Sequence, residues 1–418
     1  MAIQSDSWIE QILKDSSVVD YEEPFESELC ELLVDACIKN KTLSEKGIGL
    51  LFASSFDLLI AAQYYSTLPH KGWFYCPTGI PRLFFHYTNC CPRDVLSNQF
   101  YFNPSAKPSS GRIGAATSRL LLVFYKTIFK KLGLKEEILR GTEPVDAVIV
   151  NRHERKVLFA EIKASPLLTI PLSVKSQRLT EEVTNKIVHS GHASVDNTVL
   201  FETDLEIFVP KKERDFWIER YYPIGKKRNA GDYGWGYRGF VGLLKNNPDF
   251  FREYFAFWNE CLKSYYPKSH ESVFWLTNAC GAPNNLPSGW ATRREGEGYE
   301  TISDTKTSVG MDRTDDIKKG VYQVLKLGSI GKPIASKWDY KVGLVSNIHA
   351  ARHFDEYLGS LKDIIWTLDS SGKAKKISDL PSEQAVYNLF DGIIALTVTI
   401  SRDDWINSIF SYGDLNCE

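Results

Sequence analysis

Pro144-Val145-Asp146-Ala147-Val148-Ile149-Val150, the connector 151–156 (NRHERK), and Val157-Leu158-Phe159-Ala160-Glu161-Ile162-Lys163 form the stretch that decides the fold. Two apolar, β-branched-rich runs flank a short polar connector, the pattern of a β-hairpin. A four-residue loop at 152–155 pairs Asn151 with Lys156. The register then runs Val150 with Val157, Val148 with Phe159 and Asp146 with Glu161. Antiparallel partners share a face of the sheet, and so do residues two apart along a strand. Asp146, Glu161 and Lys163 are therefore expected on one patch at the open end of the hairpin. Away from that patch both faces are apolar, which predicts central strands covered on both sides.

Two carboxylates opposite each other destabilise a strand pair unless a cation sits between them. Oxygen ligands of this kind suit Mg²⁺, which takes a couple of carboxylates together with water and substrate phosphate. Such an ion gives a phosphodiester Lewis-acid help and lowers the pKa of the attacking water. Lys163 beside it has the charge to orient that water or to stabilise the phosphate as it reacts. The bland alternative is an ordinary exposed Glu161–Lys163 charge pair, because an E-x-K tripeptide is common. The Pro-x-Asp at hairpin distance and the unbroken apolar run 157–160 favour the chemical role.

Outward from the hairpin, helices are expected at ESELCELLVDACIKN and FDLLIAAQYYSTL, with Leu29, Leu32, Leu33, Ala36 and Cys37 at helical spacing. Prolines and aromatics crowd 72–110 and predict short strands and loops. A long amphipathic helix follows from PSSGRIGAATSRLLLVFYKTIFKKLGL, ending near Gly133. Beyond the hairpin, helices are expected at LTEEVTNKIVH, PDFFREYFAFWNECLKSYY, DDIKKGVYQVLKLGS and ARHFDEYLGSLKDIIWTL. TVLFETDLEIFVP and YKVGLVSNI read as strands, and GKKRNAGDYGWGYRGF as a loop. Strands alternating with helices predict an α/β or α+β body.

PVD followed by AEIKAS resembles the signature of the PD-(D/E)XK nuclease superfamily, whose best populated group is the type II restriction endonucleases. The resemblance covers about 110–165, with a helix, one strand, the Asp strand and the E-x-K strand in the family's order. It implies a restriction-endonuclease-like core, a mixed sheet flanked by helices. It also implies metal ligation by Asp146, Glu161 and the Ile162 carbonyl, with Lys163 as the catalytic lysine and Mg²⁺ as cofactor, Mn²⁺ substituting. Some members carry a further Glu on the preceding helix; 112–131 has none, which leaves a second metal open. The expected organisation is a mainly helical region with a Cys/Pro-rich segment at 1–105 and the first half of the core at 106–175. A DNA-recognition insertion at 176–300 and a C-terminal region completing the core at 301–418 follow.

Rival constellations exist. Asp304-Thr305-Lys306-Thr307-Ser308 echoes the E-x-K strand and precedes Asp312, Arg313, Asp315 and Asp316. Its polar run is a poor central strand, so Lys306 and Arg313 are assigned to DNA contact. Lys226, Lys227, Arg228 and Arg238, interleaved with Tyr233, Trp235 and Tyr237, suit phosphate and base contact on a loop, or an ordinary solvated surface. Arg112 is a further phosphate candidate. Cys76, Cys90, Cys91 and His86 lack the spacing of a zinc site.

The 50 basic and 52 acidic residues are nearly balanced, which excludes a uniformly basic coat but not one basic cleft. Eight cysteines in 418 residues form no disulfide framework, and no membrane span or leader is legible. The expectation is a cytoplasmic, prokaryotic restriction enzyme that cuts duplex DNA, a homodimer with a cognate methyltransferase in the host. A structure-specific or defence DNase of the same superfamily, and a non-catalytic DNA-binding protein with a relic core, are the alternatives.

Overall fold

The hairpin forms in the register its apolar pattern dictates. Val150 pairs with Val157, Val148 with Phe159 and Asn151 with Lys156. The turn closes when Asn151 Oδ1 accepts from the Glu154 N–H at 3.0 Å, and Arg155 takes a positive φ of 54°. The structure is a computed structural model that describes residues 5–66, 73–76, 79–85, 92–96, 110–168, 170–175, 201, 203–214, 216–265, 310–312, 314–332, 336–350, 353–359, 364–367, 374–376 and 386–412.

In chain order the strands are β1 (Ser17–Val18), β2 (Phe74–Cys76), β3 (Arg82–Phe85), β4 (Glu137–Arg140), β5 (Ala147–Asn151) and β6 (Lys156–Ile162). Then come β7 (Leu172–Val174), β8 (Leu205–Phe208), β9 (Lys211–Glu213), β10 (Phe216–Ile218) and β11 (Tyr221–Gly225). The last are β12 (Asp339–Ser346), β13 (Ile364–Thr367), β14 (Ala374–Lys376), β15 (Val386–Asn388), β16 (Gly392–Ala395) and β17 (Thr399–Ser401). A seven-stranded mixed sheet runs β1-β4-β5-β6-β12-β16-β17. Strands β4, β5 and β6 form an antiparallel meander; β12 then lies parallel to β6, and β16 parallel to β12.

The helix Ser110–Leu132 precedes the meander and Thr314–Gly331 precedes β12. The former ends on Gly133 at φ 71°, with the Leu134 N–H reaching back to the Phe129 carbonyl at 2.9 Å, a glycine-terminated C-cap. Alternate residues of the hairpin enter two cores. Ala147, Ile149, Leu158 and Ala160 pack with the helix Ser110–Leu132. Val148, Val150, Val157 and Phe159 pack with Ile317, Val324 and Leu327 of the other helix. Both sheet faces are covered, as expected for central strands.

Strands β7, β8 and β11, which lie between β6 and the helix Thr314–Gly331, join the earlier β2 and β3 in a second, five-stranded sheet in the order β11-β8-β7-β3-β2. The segment 73–85 thus shares a sheet with 172–225, a long-range pairing with no local signal. The expected helix at 351–368 is instead one turn, Phe354–Tyr357, then β13. The β-branched and aromatic run Ile364–Thr367 pairs with β14 and β15. The expected helix at 179–189 and the stretch CGAPNNLPSGW lie outside the described residues. Among the described residues, no helix is long and apolar enough to cross a membrane.

Candidate active site

Where β5 begins and β6 ends, the meander opens into a cleft of about 660 Å³. Its walls include Asp146, Glu161 and Ile162 from the strand ends, Ser118 and Arg119 from the helix Ser110–Leu132, Arg140, Glu22 and Gln323. The ladder geometry continues past the last paired residues. The Asp146 N–H donates to the Ala160 carbonyl at 3.2 Å, and Asp146 Oδ2 accepts from the Ile162 N–H at 2.9 Å. Asp146 is exposed to solvent, whereas Glu161 is buried. Lys163 Nζ donates to Glu161 Oε1 at 2.5 Å.

Burial, followed by the negative charge of Asp146, pushes the Glu161 carboxyl up to about 7, with Lys163 pulling the other way. A buried carboxylate whose proton affinity is raised by a second carboxylate beside it is relieved by a divalent cation between the two. Among the described residues no group of three or more His, Cys, Asp or Glu could hold a metal. Asp146 and Glu161 are a pair of hard oxygen donors, a set whose chemistry suits Mg²⁺ completed by water and phosphate.

The backbone after Glu161 is pinned from three sides. The Lys163 N–H donates to the Val345 carbonyl at 2.9 Å, extending the parallel ladder. Asn347, fully buried, then imitates a strand partner: Oδ1 accepts from the Ser165 N–H at 3.1 Å and Nδ2 donates to the Ser165 carbonyl at 2.8 Å. Thr117 Oγ1 donates to the Ala164 carbonyl at 3.1 Å. Further along, Asp57 Oδ2 accepts from the Leu167 and Leu168 N–H groups at 3.0 and 3.1 Å and from Trp258 Nε1 at 2.7 Å. Burial pushes the Asp57 carboxyl up to about 8. On the other side, a Cβ on Gly320 would lie 2.9 Å from Leu344 Cδ2 and 3.4 Å from Lys163 Cγ, so glycine lets the helix close over the lysine stem.

The two arginines of the cleft differ. Arg119 is neutralised by Glu26 at 2.7 Å and Glu22 at 3.2 Å. Arg140, the last residue of β4, is exposed and has no ion-pair partner among the described residues. Sequence reasoning missed Glu22, Arg119, Gln323, Asn347 and Asp57, because each arrives from a distant element without a local motif, and Arg140, which no motif marks although it pairs with Ala147 on the adjoining strand.

Among the described residues, Lys226, Lys227, Arg228 and Arg238 do not line this cleft. Trp235 and Tyr237 lie in the helix Trp235–Asn246 and are buried, Trp235 Nε1 donating to the Tyr65 carbonyl at 2.9 Å. Neither ring is available to stack on a base. Lys227 is buried as well; Arg238 is held by Asp232 at 2.6 Å. Lys226, at 3.9 Å from Asp204, Arg228 and Tyr233 remain exposed. Arg112 falls in the first turn of the helix Ser110–Leu132, and its side chain is outside the described residues. So are Asp304, Lys306, Arg313, His86, Cys90 and Cys91. Asp312 is fully buried, accepting from the Tyr265 hydroxyl at 2.7 Å and the His353 N–H at 3.1 Å. Asp315 and Asp316 sit in the first turn of their helix, where they complement its dipole. Cys76 is buried and is in no disulfide among the described residues.

Comparison with protein-family models, with curated proteins and with solved structures finds no match.

Proposed function

We propose that this chain is a Mg²⁺-dependent DNA endonuclease of the PD-(D/E)XK kind, and within it a type II restriction enzyme acting on duplex DNA. The observation that carries the proposal is the hairpin register. It sets Asp146 beside Glu161, with Lys163 bonded to Glu161, at the rim of a cleft. The order of elements supports it. The helix Ser110–Leu132 followed by the antiparallel meander β4, β5 and β6 follows the order that the resemblance implies over 110–165.

Asp146 and Glu161 would hold the ion, and Mg²⁺ bound there supplies Lewis acidity to a phosphodiester oxygen. Glu161 must be ionised to ligate, so the site loads as pH rises through the region where its carboxyl titrates. The Ile162 N–H fixes the Asp146 carboxylate by holding Oδ2. Lys163 Nζ, bonded to Glu161 in the structure, would orient the attacking water or neutralise charge growing on the phosphate. Water would form a new P–O bond as the P–O3′ bond breaks, its proton passing to solvent and the 3′-oxygen taking one up, to give a 5′-phosphate and a 3′-hydroxyl. A two-fold symmetric duplex site implies a homodimer, and a cognate methyltransferase to protect host DNA.

The test is to incubate the protein with a plasmid library in Mg²⁺ and sequence the ends. Ends sharing one short sequence are expected. Cutting confined to branched or damaged DNA would replace restriction with a structure-specific nuclease. No cutting in Mg²⁺ or Mn²⁺ would overturn the enzyme proposal.

A further inference from the structure

The helix Thr314–Gly331 has two working faces. Inward, Ile317, Val324 and Leu327 are buried in the core. Gln323 reaches the wall of the cleft that Asp146 and Glu161 line. Outward, Lys319, Tyr322 and Lys326 follow one another at i, i+3 and i+7, a spacing that aligns them in one stripe. All three are exposed, and the Tyr322 ring, 64% accessible, is among the most exposed large apolar groups described.

The stripe stands out by its unpaired charge. Lysines on other helices mostly meet a carboxylate: Lys130 with Glu31, Lys131 with Asp35, Lys245 with Glu28 and Lys263 with Glu260. Among the described residues neither Lys319 nor Lys326 has such a partner. Their neighbour Lys318 is turned away, its ammonium 5.4 Å from the centre of the Tyr357 ring. Among the described residues, Lys319 and Lys326 thus carry charge that no carboxylate offsets, on the helix whose Gln323 walls the carboxylate cleft.

We infer that Lys319, Tyr322 and Lys326 form a nucleic-acid contact surface continuous with the cleft, on which the substrate strand rests beside the phosphate to be cut. This rests on the nuclease reading and extends it to the path of the substrate. Seven residues of helix separate the two lysines by about 10 Å along the axis. That matches the rise of about three nucleotides along one strand of B-form DNA. Gln323, between them in sequence, lies on the cleft side. The lysines contact phosphates on either side of the strand segment that passes over Gln323, and Tyr322 packs against a sugar or base between them. The surface carries no sequence information of its own, since phosphate contacts position and base contacts specify.

The experiment compares wild type, Lys319→Ala/Lys326→Ala and Tyr322→Ala for binding to one duplex in Ca²⁺ at several salt concentrations, with single-turnover cleavage in Mg²⁺ measured beside it. Thermal unfolding checks that each variant folds. The double variant should bind at least about tenfold more weakly near physiological salt. Its slope of log affinity against log salt should flatten by about two, close to 0.9 for each phosphate no longer neutralised. Its cleavage at sub-saturating DNA should fall in step with the weakened binding, and raising the DNA concentration should recover most of the lost rate. Tyr322→Ala should weaken binding with an unchanged salt slope, since it removes packing and no charge. Lys130→Ala/Lys131→Ala, whose cations are already paired, should leave the slope unchanged. An unaltered slope in a folded Lys319→Ala/Lys326→Ala protein would overturn the surface while wild-type cleavage keeps the nuclease reading. A wild type that neither binds nor cuts nucleic acid in Mg²⁺ or Mn²⁺ would overturn both.

Discussion

Replacing Glu161 with Gln should make the metal-free protein more stable at alkaline pH while destroying its activity. The carboxyl is buried beside Asp146 and titrates at about 7 in the fold against an ordinary 4.5. At about 1.4 kcal/mol per tenfold change in proton affinity, that gap corresponds to about 3 kcal/mol. The folded value lies above the unfolded one, so protonated Glu161 favours the fold fully below pH 4.5, and this contribution is lost as pH rises through about 7. Gln keeps the shape and never ionises, but leaves Lys163 without its anionic partner, which reduces the gain. The variant should therefore match wild type near pH 5 and exceed it by about 1–3 kcal/mol at pH 8. Urea unfolding in EDTA at pH 5, 6.5 and 8 measures the difference directly. Asp57, pushed up to about 8 by burial, weakens both proteins alike at high pH and cancels. Added Mg²⁺ at ten times its dissociation constant should stabilise wild type by about 1.4 kcal/mol and the variant far less. Equal stability at pH 8, or a gap that does not change with pH, would refute the reasoning.

Three other substitutions separate the roles assigned around the cleft. Lys163→Ala should lower single-turnover cleavage by about 10²–10³ at saturating DNA. It should also move the acid limb of the pH–rate profile upward, since Lys163 holds the Glu161 titration down; an unmoved limb would detach the lysine from that carboxylate. Asn347→Ala removes both bonds to Ser165. It should destabilise by about 1–3 kcal/mol and cut turnover while leaving affinity for DNA unchanged, with Asn347→Asp intermediate. A stability loss with full turnover would reduce Asn347 to a structural residue. Arg140→Ala should weaken DNA binding and flatten the salt slope by about one, leaving turnover at saturation intact; unchanged affinity would remove it from the interface.

The hairpin was legible because its pattern is local and redundant. Apolar alternation fixed which residues pair across a four-residue turn, and Val150–Val157 and Asn151–Lys156 formed as expected. The long helix ending at Gly133 was equally plain, since amphipathic periodicity and a C-terminal glycine point to the same boundary. Whereas 226–234 is the loop expected, the segment 235–240 misled for a physical reason. Its glycines suggested a flexible loop, yet they serve close packing. A Cβ on Gly236 would lie 2.3 Å from the Ala62 carbonyl oxygen, and one on Gly239 2.6 Å from that of Ile224. Glycine there lets the helix approach its neighbours, and Trp235 and Tyr237 are buried as a result. The partners of Arg119 and Ser165 were invisible because Glu22, Glu26 and Asn347 arrive through tertiary contacts that no local pattern encodes.

The central claim is that Asp146 and Glu161 together hold the ion that cuts DNA. It is tested most directly by incubating wild type, Asp146→Asn and Glu161→Gln with the same plasmid, in Mg²⁺ and in EDTA, while following DNA binding in Ca²⁺. Cleavage by wild type in Mg²⁺ alone, lost in both variants that still bind the plasmid, is the expected result. Full cleavage by either variant, or wild-type cleavage that persists in EDTA, would contradict it.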